Sequence, residues 1–196
     1  MRSIVNHSQA EKISLQRSQE SGEVKLIFDS EHYKAVVENG ILKAHSRVWI
    51  ATANVKDLHV AGGRRKSLPL LYHFEKLQRK GVGIRILHGA KPSAPFLNTL
   101  SELSELHRGD GFEMQLCPRI HTKIVIVDSR FAYTGSANLT GAGLGMKSDR
   151  RRNFECGTVT EDPEEMLLLE NYFDNIWMGQ FCETCGRRDI CPRPVI

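Results

Sequence analysis

The chain reads as an α/β protein: a layered domain built on a mixed, partly parallel β-sheet with helices on both faces. Two observations predict this. Between residues 24 and 117, strand-like apolar runs alternate three times with helix-like stretches, the order that parallel strands joined by crossovers require. With 196 residues and 40% hydrophobic content, the chain can also bury one substantial core, and no internal repeat or low-complexity linker divides it.

Residues 1–22 are polar and show no sustained apolar period, so a loose N-terminal arm is expected there. VKLIF (24–28) reads as a strand, and Ser30 as the cap of a helix running through Val36, Val37, Ile41 and Leu42, with Gly40 its weak point. RVWIATA (47–53) is a second strand. AGGRRKS (61–67) is a glycine-rich basic turn ahead of a helix that carries Leu70, Leu71, Phe74 and Leu77 and stops at Gly81. VGIRIL (82–87) alternates as a strand, a helix starts near Pro95 and runs to Leu106, and FEMQLC (112–117) alternates again. FECGTVT (154–160) is a further strand. Asp162, Pro163 and Glu165 then start a helix whose apolar face carries Met166, Leu169, Phe173 and Ile176.

Between these lies HTKIVIVDSRFAYTGSAN (121–138), the densest polar chemistry in the chain. Its β-branched centre reads as a buried strand, so His121 and Lys123 project side by side and put a nucleophile or proton carrier next to a fixed positive charge. Gly135, Ser136 and Asn138 are expected at a strand-to-helix transition, where free backbone N–H groups suit an anion. Together they ask for a phosphate.

As spacing, the stretch is HxK, four residues, Asp, six residues, GSxN, carried by His121, Lys123, Asp128, Gly135, Ser136 and Asn138. It resembles the HKD signature of the phospholipase D superfamily without a departure, and Asn153 and Glu155 resemble the acidic element that follows the signature in small members. The resemblance implies a phospholipase D-like fold over about residues 24–178. It also implies phosphodiester cleavage through a phosphohistidine, with no cofactor for catalysis. His121 is then the nucleophile, Lys123, Ser136 and Asn138 stabilise charge on the phosphoryl oxygens, Glu155 accepts the other imidazole N–H, and Asp128 positions.

The mechanism needs a second histidine as acid, and the chain holds one complete signature. His32-Tyr33-Lys34 repeats HxK on a predicted helix, where residues two apart diverge, and is a decoy. His88 ends a strand and reads as structural. The resemblance is closest to small single-motif bacterial endonucleases, which implies a homodimer that pairs two identical motifs across a two-fold axis.

Flanking residues select the substrate. Lys147, Arg150, Arg151 and Arg152, with Arg64 and Arg65 on the earlier loop, form a basic rim suited to a nucleic-acid backbone, DNA or RNA. A net charge of +4 agrees with a polyanionic partner. The expectation is a nuclease. A lipid hydrolase or transferase of the same superfamily is the alternative enzyme, and an idle nucleic-acid-binding subunit of a repair or defence complex the alternative of another class. No apolar run approaches the ~20 residues of a membrane span and the N-terminus lacks a signal-peptide core, so a cytoplasmic protein is expected. Residues 23–179 form the expected catalytic domain. The tail 180–196 carries Cys182, Cys185 and Cys191, which suit a structural zinc, or less readily an iron-sulfur cluster, with Cys156, Cys117 or a His as fourth ligand.

Overall fold

A computed structural model describes residues 24–62 and 65–192. The polar arm expected over 1–22 lies outside the described residues, as do Arg64 and the side chains of Arg65 and Lys66. Among the described residues nine strands form: β1 (Val24–Phe28), β2 (Arg47–Thr52), β3 (His59–Gly62), β4 (Arg65–Pro69), β5 (Gly83–His88), β6 (Phe112–Leu116), β7 (Ile124–Val127), β8 (Phe131–Gly135) and β9 (Cys156–Thr160). The α-helices are α1 (Leu70–Gln78), α2 (Ala94–Glu102), α3 (Ser104–Arg108) and α4 (Pro163–Trp177).

Seven strands make one sheet in the order β1-β9-β8-β7-β2-β5-β6, and β3 pairs with β4 apart from it. β2, β5 and β6 run parallel, joined by crossovers through α1 and then α2 and α3. β7, β8, β9 and β1 pair antiparallel, because the connection from β7 to β8 is too short for a crossover. Alternate residues of the central strands feed opposite layers. Val48, Ile50, Ile84, Ile86, Val125 and Val127 pack with Leu71 and Phe74 of α1, whereas Ala51, Leu87, Ile124 and Ile126 pack with Met166 and Phe173 of α4. The mixed sheet with helices on both faces is therefore observed.

Three expectations about elements are corrected. Residues 61–62 and 65–67 are not a simple turn: they belong to the paired strands β3 and β4, whose register shifts between Val60 and Gly62. The helix expected from Ser30 to Leu42 is a π-helix, Tyr33–Glu38, followed by a 3-10 turn, Ile41–Lys43. The break falls at Gly40, where a Cβ would sit 2.5 Å from the Val36 carbonyl oxygen. The helix near Pro95 is interrupted at Leu103 (φ −94°, ψ 69°), which separates α2 from α3.

Candidate active site

In register, Ala51 of β2 faces Ile124 of β7, so the residues just before β7 lie at the C-terminal end of β2. That end of a parallel set, where loops gather, is where α/β sheets place ligands. His121 and Lys123 are here, in the extended approach to β7 and not on the strand itself. Lys123 Nζ donates to the His121 carbonyl at 2.6 Å and stands 3.4 Å from His121 Nδ1. The imidazole is solvent-exposed. The expected pairing of imidazole and ammonium is thus made.

The second half of the signature arrives through β8. Gly135 N–H donates to the Lys123 carbonyl, which sets Ser136 one residue from the His121–Lys123 pair. The Ser136 hydroxyl donates to Glu155 Oε2, and its oxygen accepts the Cys156 N–H at 3.1 Å. Asn153 Nδ2 donates to Glu155 Oε1 at 2.9 Å. The backbone of Glu155 is fixed in turn: its N–H donates to Asp29 Oδ1, and its carbonyl accepts from Asp29 N–H, both at 2.9 Å. Glu155 is 9% exposed, so each oxygen of a nearly dry carboxylate has a donor. Among the described residues the carboxylate bonds Ser136 and Asn153 and makes no hydrogen bond to His121, in contrast to the imidazole contact that the resemblance implied.

Asn138 is anchored by residues that the sequence did not single out. Its Oδ1 accepts from Asn54 N–H at 3.0 Å and lies 3.2 Å from Thr52 Oγ1, which itself accepts the Leu139 N–H at 3.1 Å. The amide N–H2 is the half left to donate to a substrate.

Two readings of the signature change. No helix follows β8; the chain enters a series of turns. The N–H groups expected to be free are occupied, Gly135 on Lys123, Ser136 on Cys156, and Ala137 on the Tyr133 hydroxyl at 3.1 Å. Gly135 is required for another reason: a Cβ there would meet the Tyr133 hydroxyl and stand 2.7 Å from the Cys156 carbonyl and from Gly157. Burial pushes the Tyr133 phenol up to about 12, an effect that the Ala137 N–H opposes and the Glu155 charge reinforces.

Asp128 sits at the opposite end of β7, away from the constellation. Its carboxylate accepts the N–H groups of His45, Ser46 and Arg47 at 2.8, 2.8 and 2.9 Å, and the Ser46 hydroxyl at 2.9 Å. Burial alone would raise its pKa, but these four donors outweigh it and hold the carboxyl below its usual range. Asp128 and Ser129 both adopt positive φ (54° and 53°), and Arg130 N–H closes the turn onto the Val127 carbonyl. Asp128 therefore positions the turn and touches no reacting group.

The residues expected to form a basic rim differ in exposure. Lys147, Arg150 and Arg151 are exposed, whereas Arg152 is half-buried and paired with Asp149 at 2.8 Å. The turns between Gly141 and Asn153 close on themselves through Lys147 N–H to Gly141, Arg151 and Arg152 N–H to Ser148, and Asn153 N–H to Ala142, so the rim leads directly into Asn153 and Glu155. Phe154, between those two residues, is 95% exposed. His88 is buried, its Nδ1 on the Ala90 carbonyl at 2.9 Å, and burial lowers its pKa despite that bond. The decoy His32 is likewise a core residue, packed edge-on against Tyr133. Cys156 lies exposed on β9 with its N–H on Ser136. Among the described residues, no three His, Cys, Asp or Glu side chains are gathered to hold a metal, and no helix is long and apolar enough to cross a membrane.

The family described as "Cardiolipin synthase, PLD-like domain" matches residues 37–177. No curated protein matches. Among solved structures, the fold is similar to Nuc from Salmonella typhimurium, a phospholipase D family member, with a TM-score of 0.57 at 16% identity over 80% of this chain and 94% of that one. It is similar to NucT from Helicobacter pylori, with a TM-score of 0.54 at 18% identity over 78% and 95%. It is also similar to TrmBL2, an archaeal chromatin protein, with a TM-score of 0.52 at 14% identity over 87% and 59%.

Proposed function

The chain belongs to the phospholipase D-like family of phosphodiesterases, and from that premise we propose that it is a nuclease whose active site is completed by a second copy of itself. The observation that carries this reading is the exposed His121–Lys123 pair beside the Ser136–Glu155–Asn153 network, present once per chain. One imidazole can attack phosphorus, but a second group must protonate the leaving oxygen. His88 and His32 are buried, and in this reading the acid is the imidazole of the partner's identical site. A 95% exposed Phe154 at the edge of the constellation suits a face that another copy covers.

In the proposed reaction the His121 imidazole attacks phosphorus. The P–N bond forms as the P–O bond breaks, and the leaving oxygen takes a proton from the imidazolium of the second copy. Water then attacks the phosphohistidine, gives its proton to that second imidazole and frees His121. Lys123 and the Asn138 amide stabilise charge on the phosphoryl oxygens, and no step calls on a metal. Glu155 fixes the Ser136 hydroxyl and, through it, the chain beside His121. Lys147, Arg150 and Arg151 favour a nucleic-acid backbone over a lipid headgroup, since they are exposed on the turns that lead into the site.

The test is cleavage of labelled single- and double-stranded DNA and RNA, and of cardiolipin vesicles, without added divalent cation. Cleavage of nucleic acid by the wild type and none by His121→Ala is expected. In an equal mixture with His121→Ala chains, exchanged to equilibrium and compared with wild type at the same total chain concentration, a shared site leaves about a quarter of the activity, because both imidazoles must be present. Half the activity would refute the shared site, and turnover of vesicles alone would refute the nuclease.

A further inference from the structure

We propose that Cys117, Cys182, Cys185 and Cys191 bind a structural zinc ion that fastens the C-terminal segment to the loop carrying His121. Among the described residues, the segment after α4 holds no regular element but a 3-10 turn, Arg188–Ile190, and no buried residue. From Phe181 to Pro192, the three cysteines are the half-buried residues and every other residue is exposed. A segment that turns only its thiols inward is organised around them, and not around apolar packing.

Two of those cysteines face the approach to His121. Cys182 and Cys185 line a cleft of about 330 Å³ with Cys117, Ile120 and His121. Pro192, next to Cys191, lines a second cleft with Leu116, next to Cys117. Cys117, just past the end of β6, is the cysteine outside the tail that shares the first cleft, and so is the fourth ligand in place of Cys156. Four soft sulfurs, two of them in CxxC spacing, match tetrahedral zinc.

Without metal the segment is lightly held. Arg187 donates to the Pro118 carbonyl at a long 3.4 Å. No three ligands converge among the described residues, so zinc would draw the thiols together as it binds. The other side of the loop is already fixed, with Cys117 N–H on the His88 carbonyl and Ile120 N–H on the Cys117 carbonyl, both at 2.9 Å. Zinc at Cys117 would fix the remaining side, four residues ahead of the nucleophile.

The experiment is metal analysis of the full chain purified under reducing conditions, with cobalt(II) substitution followed by visible absorption. Expected are one zinc per chain, a tetrahedral thiolate cobalt spectrum, at least a tenfold loss of occupancy in Cys117→Ser and Cys182→Ser, and full occupancy in Cys156→Ser. Should Cys117→Ser fail to fold, the cobalt spectrum of the wild type still decides. Metal-free wild type, zinc retained in Cys117→Ser, iron in place of zinc, or a Cys182–Cys185 disulfide would each overturn the site. None of these readouts depends on turnover, so they stand apart from the nuclease assay.

Discussion

At the scale of single residues, the signature divides into side chains open to solvent, His121 first among them, and groups that hold the chain. Asp128 is of the second kind: its side chain is 7% exposed and satisfies three backbone N–H groups at the entry to β2. Removing it in Asp128→Ala orphans those donors and is expected to cost about 3 kcal/mol, read from urea unfolding, with the rate per folded molecule unchanged. Because the folded carboxyl titrates below its unfolded value of about 3.9, its contribution is complete above that pH and is lost as pH falls through the folded value. The stability gap between wild type and Asp128→Asn should thus narrow below about pH 4. His121 beside Lys123 was legible in the sequence because two residues of extended chain decide it. The anchors of Asn138, 84 and 86 residues away at Asn54 and Thr52, were not, since no local pattern encodes a contact between two loops.

At the scale of elements, the apolar runs of β2, β5 and β7 declared themselves, and so did α4, where Asp162 Oδ1 accepts the N–H groups of Glu164 and Glu165 as a capping residue should. What holds α4 down is an aromatic stack: Trp49 on Phe173 at 5.1 Å and Phe173 on Trp177 at 5.8 Å. Arg47 lies over Trp49, and Arg85 over both tryptophans. Phe173→Ala empties the middle of this stack and is expected to cost about 4 kcal/mol, seen as an earlier thermal midpoint with altered tryptophan fluorescence. The elements that escaped sequence reading are those decided by tertiary crowding. Gly40 breaks a helical pattern because Val36 and Phe131 leave no room beside it, and β3 with β4 pair through a glycine-rich run that carries no apolar alternation.

At the scale of the whole molecule, the signature residues, Phe154 and the exposed arginines share one end of the sheet, so in the proposed dimer substrate and second copy would approach from the same side. Backbone binding makes affinity fall with salt, and neutralising both Arg150 and Arg151 to glutamine should reduce the slope of log K against log salt by about two, measured by fluorescence anisotropy on one oligonucleotide. An unchanged slope would place the backbone elsewhere. The clamp at Asp128 has a consequence in the history of such chains. Drift that abandons chemistry but keeps folding can discard the exposed His121 and Lys123 freely, while the carboxylate at 128 and the hydrogen side chain at 135 stay under selection. A lapsed enzyme of this design would erode from the front of its signature, and the surviving Asp and Gly would mark ancestry, not activity.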